Sequence, residues 1–463
     1  MAQTLQVVQA FDRAVITGIA LDDALALEAK LAAATRLMRD RDAWLKPHQR
    51  SAILVRAASL LEARQAHFAR LIAREGGKPL SDSAVEVIRA IDGLRNAAEE
   101  LRGFAGREIP MGLTPASEGR WAFTTREPIG VVAAISAFNH PLNLIVHQVA
   151  PAIAVGCPVI VKPAMATPLS CLDLVALLRE AGLDEPWCQT FITDDNALAE
   201  RLATDSRVAF LSFIGSARVG WYLRSKLAPG TRCALEHGGA APVIVDRSAA
   251  LDRIIEPIVK GGYYHAGQVC VSTQRIFVHA DVMDDFVERF AARVGSLRVG
   301  DPALQETDVG PLINPQEANR VMSWIDEAVS GGAVKIGGGR QSETTLLPTI
   351  LLDPAADAKV SQLEVFGPVT CVYGFQVLDK AIDIANGLPF AFQASVFSND
   401  MGPAMRAAQR LDASTVLIND HTAFRTDWMP FAGRRQSGYG VGGIPYSMEA
   451  MSQEKMLVLR YAV

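Results

Sequence analysis

The sequence predicts an α/β protein built from two parallel-sheet units and a smaller strand arm. Three observations carry this. Continuous short apolar runs at 131–135 and 208–213 fit strands buried on both faces. They alternate with segments of helical period, the signature of a parallel α/β sheet. The same rhythm then restarts near Gly239, in the middle of the chain. The length of 463 residues suits about three domains, at ~150 residues each. With 49% hydrophobic and 21% charged residues, the composition is ordinary for a globular chain, which sets aside disordered, collagenous and repeat classes. The 45 basic and 50 acidic side chains give a net charge of -5, so no global basic field exists for nucleic acid or an anionic membrane. The expected partner is a small molecule or another copy of the chain.

Taken in order, the first hundred residues read as helix. Segment 50–74 repeats Ile53, Leu54, Ala57, Leu60, Leu61, Phe68, Leu71 and Ile72 at helical spacing, and Gly76-Gly77-Lys78-Pro79 supplies a stop. A capping-box spacing from Ser83 to Glu86 opens a further helix whose core face is Ala84, Val87, Ile88, Ile91, Leu94, Ala98 and Leu101. Residues 120–126 alternate around Trp121 and Phe123 as an exposed or pairing strand. Strands at 131–135, 159–161 and 208–213 then alternate with helices at 169–181, ending at Gly182, and 217–227. The second unit has strands at 241–245, 275–278, 350–352, 370–374 and 394–397, with helices running to Tyr264 and over 284–294 and 380–386. The tail 456–461 reads as a strand able to pair with the Trp121 strand, on this chain or a neighbour.

Six scattered cysteines, none at C-x-x-C spacing, argue against a disulfide framework and against a zinc site, so no metal is expected. The N-terminal residues show no basic segment followed by an apolar core. The apolar stretch 142–161 is interrupted by His147, Gln148, Pro151, Gly156 and Pro158, which fits buried elements rather than a membrane span. A soluble, cytoplasmic protein is expected.

Gly267-Gln268-Val269-Cys270 and Leu235-Glu236-His237-Gly238-Gly239 stand with Phe138-Asn139-His140-Pro141, Lys162-Pro163-Ala164, Phe213-Ile214-Gly215-Ser216 and Glu364-Val365-Phe366-Gly367-Pro368. In this order, over nearly the whole chain, they resemble the aldehyde dehydrogenase superfamily. The resemblance implies two Rossmann-like domains and an oligomerisation arm. The cofactor-binding domain would take 1–113 and 128–238, the catalytic domain 239–438, and the arm 114–127 and 439–463. It also implies a homodimer or homotetramer. Cys270 would be the nucleophile, since a thiolate attacks an aldehyde carbon well. Asn139, with the nucleophile's own backbone N–H, would hold the oxyanion. Glu236 would be the base that hydrolyses the thioester, its pKa raised by partial desolvation. The other cysteines, Cys157, Cys171, Cys188, Cys233 and Cys371, read as core residues.

For the cofactor, Gly215-Ser216-Ala217-Arg218-Val219-Gly220 lacks the three-glycine fingerprint, yet it follows a strand and opens a helix, where free backbone N–H groups can face a pyrophosphate. The resemblance places Lys162 and Ala164 at the adenosine ribose, Gly215, Ser216 and Val219 at the pyrophosphate turn, and Glu364 and Phe366 at the nicotinamide ribose and ring. Family members selective for NAD commonly carry a Glu where this chain has Met165, so NAD and NADP both stay open.

Around the substrate, Val269 and Val271 flank the nucleophile, and His140, Asn143 and His147 stand where members for apolar aldehydes present apolar side chains. On one helix these three would share a face, giving a polar tunnel. Arg95, at helical spacing from Ile88 and Ile91, would pair with Glu99 or bind an anion. His421, Phe424 and Arg425 match the loop that closes the substrate mouth. With the run from Phe431 to Gly438, these features resemble the lactaldehyde and phosphonoacetaldehyde dehydrogenase-like branch. The implied reaction is NAD(P)-dependent oxidation of a small polar or anionic aldehyde, such as phosphonoacetaldehyde, sulfoacetaldehyde or lactaldehyde, to its acid. The alternatives are a CoA-acylating semialdehyde dehydrogenase, which typically lacks the Glu236 carboxylate, and a non-catalytic member, which would lack one of Cys270, Glu236 and Asn139.

Overall fold

The computed structural model describes residues 4–461; residues 1–3 and 462–463, at the ends of the expected first and last segments, lie outside them. A six-stranded sheet runs in the spatial order Gly438–Tyr439, Arg232–Glu236, Val208–Ile214, Val131–Ile135, Val159–Lys162, Cys188–Thr190. All neighbours are parallel except Gly438–Tyr439 against Arg232–Glu236. The apolar run at 131–135 is buried on both faces: Val132 and Ala134 enter one core with the helices Pro47–Ala63, Leu80–Glu100 and Asn143–Val155, while Val131 and Ala133 enter a second. From this central strand the chain steps outward to 159–162 and 188–190, then returns to the other side at 208–214. The strand order therefore reverses between 131–135 and 208–214, and such a switch point leaves a crevice at the carboxyl ends of the strands.

The second sheet has seven strands, ordered Val334–Gly337, Thr349–Leu352, Val369–Phe375, Thr273–His279, Ala241–Val245, Gln393–Phe397, Thr415–Ile418, with only the Val334–Gly337 edge antiparallel. The arm is the strand Ser452–Arg460, paired antiparallel along the whole of Arg120–Pro128 with Leu459 opposite Trp121, so the tail pairs within its own chain. Arg120–Pro128 pairs on its other side with Glu108–Ile109, leaving Ser452–Arg460 at the sheet edge. The segment from 439 to 451 sits elsewhere than an arm: Tyr439 pairs with Leu235 in the six-stranded sheet, and the helix Ile444–Ala450 buries Ile444 and Met448 in the first core.

Several expectations are corrected. The N-terminus is a hairpin, Thr4–Val8 with Val15–Ala20, because its β-branched residues favour strand over helix. Segment 50–74 is two helices, Pro47–Ala63 and Gln65–Gly76, parted at Arg64; the second stops at Gly77, whose φ of 72° is left-handed. The next helix starts at Leu80, directly after Pro79, so Ser83 and Glu86 are buried inside it rather than capping it. Ser83 Oγ donates to the Lys78 carbonyl, and Glu86 pairs with buried Lys78 while accepting from the backbone N–H groups of Leu142 and Asn143. This polar stripe turns Ala84 and Ile88 to solvent. Cys233 is only half-buried, whereas Cys157, Cys171, Cys188 and Cys371 are buried. Among the described residues no helix is long and apolar enough to cross a membrane.

Candidate active site

A cavity of about 430 Å3 opens at the switch point of the six-stranded sheet. Residues 136–140, which follow the strand Val131–Ile135, form one wall with Ile214, Gly215, Ser216 and Val219; Glu236, His237 and Gly238 follow at the next strand end. The second sheet contributes Val269, Cys270, Val271, Glu364 and Phe366, and the C-terminal loops contribute Ala423, Arg425 and Phe431.

The segment bearing Cys270 is held by its backbone. His265, Ala266 and Gly267 have φ of 49°, 54° and 71°, all left-handed. A Cβ at Gly267 would lie 2.1 Å from the Gly367 carbonyl oxygen, so this turn requires glycine twice over. Gln268 then anchors the loop, its side chain accepting from the Ile313 N–H at 2.9 Å and donating to the Pro311 carbonyl at 3.2 Å. Its own carbonyl accepts from Asn139 Nδ2 at 2.9 Å. The structure thus brings Asn139 to the loop of Cys270, and the second Asn139 N–H remains available on the cavity wall.

Electrostatics set the resting state. Burial pushes the Cys270 thiol up to about 12, with Glu364 and Glu236 adding to the effect and Arg425 opposing it. Burial also raises Glu236 above its ordinary carboxylate range, again opposed by Arg425. The Glu236 carboxylate lies against Gly442, where a Cβ would stand 2.2 Å from Oε1. Glu364 is pushed up to about 8 by burial, offset in part by the Gly239 N–H that it accepts at 3.1 Å.

The residues at the crevice fit a dinucleotide. The helix Ala217–Ser225 opens on the cavity without a side-chain cap; the Val219 N–H donates to the Ser216 carbonyl, while the N–H groups of Ala217 and Arg218 have no intrahelical acceptor. Gly238 leaves room for the Glu364 carboxylate, since a Cβ there would meet Oε1 at 1.6 Å. The rings of Phe138 and Phe366 meet edge to face at 5.8 Å beside Glu364. Ala164 is on the wall; Lys162, at the end of its strand, is partly buried with its pKa lowered by that burial and is not on the wall.

The expected polar stripe divides. His140 and Asn143 line the cavity, but His140 precedes the helix Asn143–Val155 and bonds through Nε2 to the Tyr264 hydroxyl at 3.2 Å. His147 stands behind the wall, between Asp427 and Arg425, because its side chain is drawn to that buried carboxylate. Arg95 neither lines the cavity nor pairs with Glu99; it pairs with Glu62 at 2.5 Å in an outer recess that shares Arg89 and Arg425 with the cavity. His421 and Phe424 also lie off the wall. His421 caps the Ala423 N–H at 3.2 Å, and Phe424 is exposed.

The cationic wall residues are instead Arg89 and Arg425, beside the acidic Glu236, Glu317 and Glu364. Arg425 follows from the sequence motif, whereas Arg89 and Asp427 were missed. The available signal was the run of polar residues Asp82, Ser83, Glu86 and Arg89 at helical spacing along a face that otherwise enters the core.

The fold sets a cysteine in the crevice at the carboxyl ends of a parallel sheet, the place where open α/β sheets bind their ligands. The aldehyde dehydrogenase family model matches residues 1–457, and the chain belongs to that family, which makes the protein an oxidoreductase. It is 40% identical over 413 residues to a 3-sulfolactaldehyde dehydrogenase of Priestia aryabhattai, covering 89% of this chain and 86% of that protein. Among solved structures it resembles an aldehyde dehydrogenase of Physcomitrella patens in complex with the reaction product succinate, with TM-score 0.96, 32% identity, and 99% and 95% of the two chains covered. It also resembles a glyceraldehyde-3-phosphate dehydrogenase of Methanocaldococcus jannaschii complexed with NADP, with TM-score 0.93, 31% identity and 99% of each chain covered.

Proposed function

We propose that the protein oxidises a short aldehyde carrying an anionic group to its carboxylic acid, with NAD or NADP, through a thioester on Cys270. The observation that carries this reading is the presence of two guanidinium groups, Arg89 and Arg425, on the cavity wall that also holds Cys270, Glu236 and Asn139. An arginine fork suits a carboxylate, sulfonate or phosphate. The relatives point the same way, being proteins of sulfolactaldehyde, of succinate and of glyceraldehyde 3-phosphate.

In this reading Cys270 Sγ bonds to the aldehyde carbon as the thiol gives up its proton to solvent water. The free Asn139 N–H and the Cys270 backbone N–H receive the developing oxyanion. The first turn of Ala217–Ser225 would hold the pyrophosphate, Lys162 and Ala164 would lie toward the adenosine, and Glu364 and Phe366 would hold the nicotinamide end. The bound dinucleotide supplies the hydride-accepting ring. Loss of hydride from the thiohemiacetal carbon leaves a thioester, and Glu236 takes the proton of the water that cleaves it, freeing the acid and the thiol. With Met165 where NAD-selective members carry a carboxylate, discrimination against NADP is weakened and both cofactors stay open. Assembly as a homodimer or homotetramer is supported by the Ser452–Arg460 strand, a sheet edge that exposes Met456, Leu457, Val458 and Leu459.

A panel of succinic semialdehyde, sulfoacetaldehyde, lactaldehyde, butanal and hexanal, each with saturating NAD and NADP, tests the reading. The anionic members are expected to show kcat/KM about tenfold or more above butanal and hexanal; preference for hexanal would contradict it.

A further inference from the structure

We propose that Asp427 is a positioning residue for substrate recognition: one buried carboxylate holds Arg89 directly and Arg425 through His147, fixing the two cationic forks that meet the substrate's anion. This rests on the anionic-aldehyde reading above and assigns the residue that gives that site its geometry.

The Asp427 side chain is 3% exposed and does not reach the cavity wall. Arg89 donates to it twice, Nη2 to Oδ1 at 2.8 Å and Nε to Oδ2 at 3.2 Å. Asn143 Nδ2 donates to Oδ1 at 3.0 Å, and His147 Nε2 reaches the same oxygen at 2.6 Å. Arg89 comes from the helix Leu80–Glu100, and Asn143 and His147 from the helix Asn143–Val155, whereas Asp427 lies in the loop beyond the strand Thr415–Ile418. A single side chain therefore locks a C-terminal loop of the cavity to both helices.

The histidine carries the second link. Burial and the Arg425 charge lower its pKa to about 4, so at neutral pH it has one N–H. Asp427, held far below the usual carboxylate range against His147 and Arg89, is ionised and only accepts. The proton is accordingly on Nε2, and the Nδ1 lone pair accepts from Arg425 Nη2 at 3.2 Å. That bond sets the Arg425 guanidinium over the Phe431 ring, 3.6 Å from its centroid. Arg425 Nε is buried without a partner among the described residues. Arg89 uses Nε and Nη2 on Asp427, and no hydrogen bond from its Nη1 to the described residues is present. With His147 neutral, Asp427 is the carboxylate bonded within the cluster; Asp92 near Arg89 and Glu236 near Arg425 are the further acidic groups, each with its ionised form disfavoured by burial. Both guanidinium groups, each with an unused N–H, line the cavity that also holds Cys270.

Charge and geometry make opposite forecasts for Asp427→Asn. Removing a negative charge would tighten anion binding if surplus charge alone governed it. Positioning forecasts the reverse, since the amide N–H of Asn turns a donor toward Arg89. The measurement is the ratio of kcat/KM for succinic semialdehyde to that for butanal, at saturating NADP, with KM and kcat resolved. In Asp427→Asn the ratio is expected to fall at least about tenfold, through a raised KM for succinic semialdehyde. His147→Leu should also lower it, while His147→Gln, whose amide donates to a carboxylate and accepts from a guanidinium, should keep it within about threefold of wild type. An unchanged or increased ratio in folded Asp427→Asn overturns the assignment. Should that variant fail to fold, an unaltered ratio in His147→Leu overturns it equally. A wild-type protein that prefers butanal removes the anionic-aldehyde reading itself; a wild type that prefers succinic semialdehyde, with the preference intact in Asp427→Asn, removes only the role of Asp427.

Discussion

Asn139 Nδ2 donates to the carbonyl of Gln268 at 2.9 Å, joining the loop after the central strand of one sheet to the loop of Cys270 on the other. The bond fixes the amide plane and leaves one Asn139 N–H free on the cavity that also holds Cys270. Two loops that meet at the crevice are thereby held at a constant separation, which a reaction with a fixed oxyanion position requires.

Asn139→Ala should lower kcat by about 10²-fold or more, the usual cost of one oxyanion donor. Steady-state kinetics with succinic semialdehyde would read it, and a loss of only a few-fold would remove Asn139 from that role.

Gly267→Ala addresses the turn before Cys270. A Cβ there sits 2.1 Å from the Gly367 carbonyl oxygen on a residue whose φ is 71°. The strain should cost about 1–3 kcal/mol or more, seen as a lower Tm together with reduced kcat. An unchanged Tm and kcat would mean that the loop relaxes freely.

The free thiol should be a poor nucleophile at neutral pH. With Cys270 pushed up to about 12, alkylation by iodoacetamide, followed by mass spectrometry of the Cys270 peptide, should quicken continuously with pH from 7 to 10. A plateau near pH 7 would show a thiolate already formed in the free protein.

Stability should weaken in acid through His147 and Asp427. His147 has a folded pKa of about 4 against an ordinary 6.5, so the unfolded chain takes the proton first and stability falls as pH drops from 6.5 to 4. Asp427, depressed in the fold, adds stability above its ordinary value and loses it as pH falls further, so both groups act in the same direction. Glu364 and Glu75, raised by burial to about 8 and about 7, work the other way, so the His147 contribution is read as a difference: between pH 6.5 and 4 the wild-type urea midpoint should fall relative to that of His147→Gln, and an identical pH profile in the variant would exclude His147 as a source.

The sheets were legible because buried parallel strands are written as apolar runs, and 131–135 is a strand with those same limits. The motifs at Cys270, Glu236 and Asn139 were legible because local sequence fixes their turns, and the fold sets all three on one cavity. Side-chain partners across the chain were not. Nothing local in the sequence indicates that Arg95 turns to Glu62 or that His147 turns to Asp427, because those pairings depend on how two helices and a distant loop pack. The polar residues Ser83 and Glu86 suggested a helix start, yet burial against Lys78 and the turn at Leu142 placed them inside one.

The most direct measurement is the intact mass of Glu236→Gln after mixing with NADP and succinic semialdehyde, followed alongside reduced cofactor. A single-turnover burst and a succinyl adduct on Cys270 are expected, with no adduct in the Cys270→Ala, Glu236→Gln double variant. Steady turnover without a covalent species, or an adduct at another cysteine, would contradict the thioester route.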